Sequence, residues 1–170
     1  MQGVRIASVG GMDWVQQQES RLHVHVASAV VFVDARTRFD LVGFNDVVRA
    51  YSSAMTSASE VKKAQAWVAA LRAADSTNIH DALEEAFLIG GLGSADRYTT
   101  SAIDTIVLLT DGTPTLNNGE LDETERIHAA VEAWNPLHRV IIHTVGIGRE
   151  VNESFLARIA EDNGGRYVHM

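Results

Sequence analysis

The chain has 170 residues, 46% of them hydrophobic, which is enough to close one core without covalent staples, so a single domain over 1–170 is expected. It has no cysteine, which excludes a disulfide framework and cysteine-ligated zinc or iron–sulfur centres and leaves the compartment unread. A net charge of -8, from 22 acidic against 14 basic residues, speaks against nucleic acid as a partner, because a phosphate backbone is held by clustered Lys and Arg. Unbroken apolar runs such as Ala29 to Val33 and Ile106 to Leu109 are too short to span a bilayer, so no membrane insertion is expected, and Met1 to Met12 lacks the apolar core of a signal peptide.

In chain order, Val4 to Val9 reads as a strand running into the turn Gly10-Gly11. Between Trp14 and Ala35, the spacing of Leu22, Val26, Val30 and Val33 fits one face of a helix, with a buried strand over His23 to Val33 as the alternative. Phe39 to Phe44 and Val47 to Tyr51, separated by Asn45-Asp46, predict an antiparallel hairpin and so one strand at a sheet edge. Ser57 and Glu60 have capping-box spacing before the face Val61, Ala64, Trp67 and Leu71. A second helix, carried by Ile79, Leu83, Ala86 and Phe87, ends at Gly90-Gly91.

Ile103 to Thr110 has almost no polar alternation, as expected of a central strand covered on both faces. Asp122 and Glu125 repeat the capping-box spacing ahead of Ile127, Val131 and Trp134. Val140 to Val145 is a further central strand, a closing helix around Phe155, Leu156 and Ile159 stops at Asn163-Gly164-Gly165, and Tyr167-Val168 adds an edge strand. Strand and helix alternate at short loop lengths through this half, which argues for a parallel sheet with helices on both faces.

Ligands in such sheets sit beyond the carboxyl ends of the strands, and the turn-rich loop Thr113 to Gly119 lies there. Asp111 would project into the same crevice, either as a functional carboxylate or as a turn Asp bonding nearby backbone. Thr77 is a candidate oxygen donor or a helix cap. A hard divalent cation would want both oxygens. His23 and His25 have ligand spacing for a strand but no third ligand nearby, and His80, His128, His138, His143 and His169 read as ordinary surface or core residues. Val9-Gly10-Gly11 lacks the third glycine and the acidic residue of a dinucleotide loop. The acidic stretch Glu120 to Glu125 reads as a solvated loop feeding a helix N-terminus.

Four stretches together resemble the von Willebrand factor type A family: Thr37-Arg-Phe-Asp-Leu-Val-Gly-Phe-Asn-Asp46, Ser76-Thr-Asn-Ile-His-Asp-Ala-Leu-Glu-Glu-Ala86, Asp104-Thr-Ile-Val-Leu-Leu-Thr-Asp-Gly-Thr-Pro-Thr115 and Ile142-His-Thr-Val-Gly-Ile-Gly148. With Phe155 to Val168, the similarity covers residues 20 to 168, and residues 1–18 read as a diverged or truncated counterpart. The resemblance implies a Rossmann-like three-layer αβα fold, with a mostly parallel sheet and one antiparallel edge strand. It also implies a metal-ion-dependent adhesion site, built from an Asp-x-Ser-x-Ser loop, a Thr and an Asp and often completed by the ligand's carboxylate.

Thr77 and Asp111 match the second and third loops of that site. The first loop does not match: with Gly10-Gly11-Met12 aligned to Gly-Ser-Met, its ligand positions become Ala7, Val9 and Gly11, none of which carries a side-chain oxygen. The expectation is therefore weak Mg2+ or Mn2+ binding, aided by Asp13 or a partner carboxylate, or no ion at all. The implied function is a non-enzymatic protein-interaction, adhesion or scaffolding module, with a protein partner engaged through an acidic side chain and Thr113 to Glu120 as a variable rim. The alternatives are a metal-assisted hydrolase using Asp111 and a purely structural domain in which Thr77 and Asp111 tie loops together.

Overall fold

The computed structural model describes residues 37–71, 76–91, 101–116 and 118–170, together with the backbone of 5–10. The expected helix between Trp14 and Ala35, and His23 and His25 with it, lies outside the described residues. The strands are β1 (Arg5–Gly10), β2 (Arg38–Phe44), β3 (Val48–Ala50), β4 (Thr56–Ser57), β5 (Thr105–Thr110), β6 (Ile141–Gly146) and β7 (Tyr167–His169). The helices are α1 (Val61–Ala70), α2 (Ile79–Ile89), α3 (Thr124–Trp134) and α4 (Glu153–Asp162).

The strands form one sheet in the order β3-β2-β1-β5-β6-β7, with β4 also on β2. Strand β1 pairs in parallel with β2 and β5, β5 with β6, and β6 with β7. Both β3 and β4 run antiparallel to β2, so the expected antiparallel edge is present but split into two short pieces. The register Gly10↔Thr110↔Gly146 brings the carboxyl ends of β1, β5 and β6 level with one another.

Strand β2 shows why its sequence has so little polar alternation. Val42 and Phe44 pack into a core with Leu83 and Phe87 of α2, Ile127 and Val131 of α3, and Leu156 and Ile159 of α4. Phe39 and Leu41, on the opposite face, pack against Ala64 and Val68 of α1. A strand buried on both sides needs apolar residues at successive positions. The exception is Asp40, which is 0% exposed. Its Oδ1 accepts from the backbone N–H of Leu41 and of Ser52, while Oδ2 is buried without a partner. Burial pushes this carboxyl up to about 6, against the pull of the two backbone donors and helped by the charge of Glu85.

The capping expectations need three corrections. Ser57 belongs to β4 and caps no helix with its side chain, because a 3-10 turn over Ala58–Glu60 separates it from α1; Glu60 instead pairs with Lys63 at 2.7 Å. Asp122 is not a cap either: Glu123 holds that place at α3, and Asp122 is buried in a two-pronged bond to Arg126 at 2.9 and 2.6 Å. At α2 the cap is Asn78, whose side chain accepts from the Asp81 N–H, so the Thr77 hydroxyl is not used there.

At the end of the sheet where the strands begin, the buried side chains of Asn135 and Asn163 are fully partnered. The Asn135 side chain donates to Val140 O at 2.8 Å and to Asn163 Oδ1 at 2.7 Å, and accepts from Val140 N–H. Asn163 in turn donates to Ile159 O. Asn163 thereby takes up a carbonyl left over where α4 stops, while Asn135 ties the end of α3 to the residue before β6 and to Asn163. Gly165 follows, where a Cβ would lie 1.8 Å from Ile142 O, so the chain turning into β7 has room for glycine alone.

Candidate metal and partner site at the strand ends

The parallel strands all point their carboxyl ends to one pole, and the two matched residues meet there. Asp111 directly follows β5, and Thr77 precedes the cap of α2. They are joined through their neighbours: Thr115 N–H donates to Thr77 O at 3.0 Å, and Thr77 N–H donates to Thr115 Oγ1 at 2.6 Å. Gly112 packs so closely that a Cβ there would lie 2.7 Å from Thr77 Oγ1. On the other side, Asn78 N–H donates to Asn45 O in the β2–β3 turn.

Thr77 is 0% exposed, and its Oγ1 is buried with no hydrogen-bond partner. Leaving a buried hydroxyl unsatisfied costs about 1–3 kcal/mol, which a fold tolerates where another group is to fill the place. Asp111 is half-buried, with Oδ1 shielded from solvent. Ala7 and Val9 lie inside β1 opposite Val107 and Leu109, four and two residues short of the level of Asp111, and Gly11 falls outside the described residues. One hydroxyl and one carboxylate suit a hard divalent cation whose remaining ligands are water.

The loop after β5 is a small hairpin rather than an irregular rim. Thr115 and Leu121 bridge across it, Leu116 N–H donates to Glu120 O, Asp122 N–H donates to Pro114 O, and Gly119 turns the chain at φ +82°. Thr113 Oγ1 ties it to Glu150 O in the loop after β6. Leu121, 73% exposed, stands on this finger. The double clamp between Thr115 and Thr77 was not legible in the sequence, because Thr-Pro-Thr carries no sign of which distant backbone its second hydroxyl will bind.

Among the described residues, His80, Asp81 and Glu84 also bring donor atoms within 4.8 Å of one another. The sequence offered a hint in the four-residue spacing of His80 and Glu84. This group already serves the start of α2: Asp81 takes hydrogen bonds from Asn78 Nδ2 and from His80 Nδ1. Burial pushes the Asp81 carboxyl up, but those two bonds outweigh it and hold it below the ordinary value.

Residues 15–169 match the family model of the von Willebrand factor type A domain. Over 139 residues the chain is 32% identical to human inter-alpha-trypsin inhibitor heavy chain H4, covering 79% of this chain and 14% of that protein. In three dimensions it resembles a von Willebrand factor type A structure from Catenulispora acidiphila, with TM-score 0.80, 18% identity, and coverage of 99% of this chain and 38% of the other. It also resembles proximal thread matrix protein 1 from the mussel byssus, solved with zinc in its metal-ion-dependent adhesion motif, with TM-score 0.66, 19% identity, and coverage of 98% and 41%.

Proposed function

Since the chain belongs to the von Willebrand factor type A family, we propose that it is a non-enzymatic protein-interaction module whose contact surface is the pole around Thr77, Asp111 and the finger Thr113 to Glu120. The observation that carries this reading is the buried, unpartnered Thr77 hydroxyl beside the Asp111-Gly112 turn. Thr77 and Asp111 would hold Mg2+ or Mn2+ weakly, with water in most positions. When bound, such an ion supplies an anchor for a carboxylate oxygen of the partner. The chain's own residues do the rest: Thr115 fixes the Thr77 backbone, Gly112 admits the hydroxyl, and the finger presents Leu121 and Glu120 to the partner.

The test is calorimetric titration of chelator-stripped protein with Mg2+ and then Mn2+, beside Asp111→Ala, followed by an array of acid-bearing peptides with and without ion. One weak saturable site, and peptide retention that needs the ion and disappears in Asp111→Ala, is the expected result. Phosphatase or esterase turnover lost in Asp111→Ala would overturn it in favour of a hydrolase, and peptide retention indifferent to that substitution would remove the site from the mechanism.

A further inference from the structure

The dipeptide Asn-Gly occurs twice, at Asn118-Gly119 and at Asn163-Gly164, and the fold treats the two in opposite ways. Asn163 is 4% exposed, its Nδ2 donates to Ile159 O and its Oδ1 accepts from Asn135 Nδ2, so its amide is shielded from water and held against rotation. Asn118 is exposed on the finger, where Gly119 turns the chain at φ +82° with open space where a Cβ would stand. We propose that Asn118 is a self-modification site, whose side-chain amide is attacked by the Gly119 nitrogen to leave aspartate and isoaspartate on the finger.

The reaction balances with solvent water as the only co-reactant. The Gly119 nitrogen bonds to Asn118 Cγ and gives up its proton, the bond from Cγ to Nδ2 breaks, and ammonia leaves with that proton. The five-membered imide so formed then takes up water at either carbonyl, and the main chain runs on through the α-carbonyl as aspartate or through the β-carbonyl as isoaspartate. Glycine hinders this attack least, since it puts no Cβ beside the nucleophilic nitrogen.

The finger's own groups stand where the reaction needs them. The Glu120 N–H donates to Asn118 Oδ1 at 3.1 Å, the oxygen that turns negative as nitrogen adds to Cγ, so it serves as an oxyanion donor. The Glu120 carboxylate accepts from Asn118 Nδ2 at 3.1 Å, beside the leaving nitrogen, where it can pass the proton from Gly119 to the departing ammonia. The bond from Gly119 N–H to Leu116 O, at 2.9 Å, has to open first, which an exposed turn does more readily than a packed helix end. The product sets a new carboxylate next to Glu120, and isoaspartate also lengthens the main chain of the finger by a methylene. Under the function proposed above both changes fall on the partner surface, but the chemistry does not depend on that reading.

The test holds chelator-stripped protein at pH 7.4 and 37 °C for several days, then digests it and weighs the peptides. The peptide bearing Asn118 should gain the mass difference between –OH and –NH2, in aspartate and isoaspartate forms, roughly tenfold or more faster than the peptide bearing Asn163. In urea the two rates should converge, because the same dipeptide then meets the same solvent. Gly119→Ala should slow the change at Asn118 by roughly tenfold, and so should Glu120→Gln, which keeps the backbone N–H and removes the proton carrier. Equal rates at Asn118 and Asn163 in the folded protein would overturn the proposal. So would a Glu120→Gln rate equal to that of the wild type, or chain cleavage after Asn118 in place of the mass gain.

Discussion

At the pole where the strands begin, Asn135 and Asn163 spend their side-chain amides on Val140, Ile159 and each other. At the pole where the strands end, the Thr77 hydroxyl is equally buried and bonds to nothing. Both poles contain short polar residues at helix boundaries, so composition does not separate them. The difference is that a satisfied buried network fixes a geometry, while an unsatisfied buried oxygen leaves a place for something else to bind. The first should therefore govern stability and the second should govern binding.

Gly165→Ala gives the largest expected effect, because the added Cβ would meet a backbone carbonyl at 1.8 Å and β7 would have to move. A loss of about 3 kcal/mol or more in urea denaturation is expected. Asn135→Ala should cost about 2–3 kcal/mol by the same measurement, since it leaves both backbone groups of Val140 and the Asn163 oxygen short of a partner. If either variant kept full stability, the structural half of the contrast would fail.

Asp40 is the exception to the contrast, a buried carboxylate with an unpartnered oxygen near the start of β2. Its carboxyl, pushed up to about 6, binds a proton more tightly folded than unfolded, where the value is about 3.9. Its contribution is thus fully present below about pH 4 and is lost as pH rises through about 6, by roughly 2–3 kcal/mol. Asp40→Asn should remove that pH dependence, measured as the wild-type minus variant difference in unfolding free energy from pH 4 to 8. A difference that stays flat would mean the carboxyl titrates normally.

Thr77→Val should change stability least, by under about 1 kcal/mol in either direction, because it replaces an unsatisfied hydroxyl with a methyl of the same shape. Ion binding should nevertheless be lost by calorimetry. Stability lost with binding retained would return Thr77 to the role of a loop tie.

Strand types and most helix cores were legible because they follow from local period: β5 is a run of aliphatics, and α2 and α4 bury the faces their spacing marks. Thr77 and Asp111 were legible through motif spacing, and their pairing to different loops followed from the resemblance. The capping-box readings at Ser57 and Asp122 failed because the same side chains found other uses, one in a strand and one with Arg126. The sequence marks Gly165 as part of a helix stop and Gly112 as a strand end, but the contacts by which Thr115, Gly112, Asn135 and Gly165 clamp or shape the two poles were not legible, since each acts on a partner distant in the chain.

The sequence by itself determined the α/β class, the family and the two candidate oxygens, because apolar periodicity and short motifs are local properties of the chain. Only the tertiary structure decided that β1 lies in the middle of the sheet, that Ala7 and Val9 sit within that strand, that Thr77 caps nothing, and that His128 of α3 comes within 3.9 Å of Asp162 of α4. Register and the meeting of distant side chains depend on how whole layers pack, and no window of sequence holds that information.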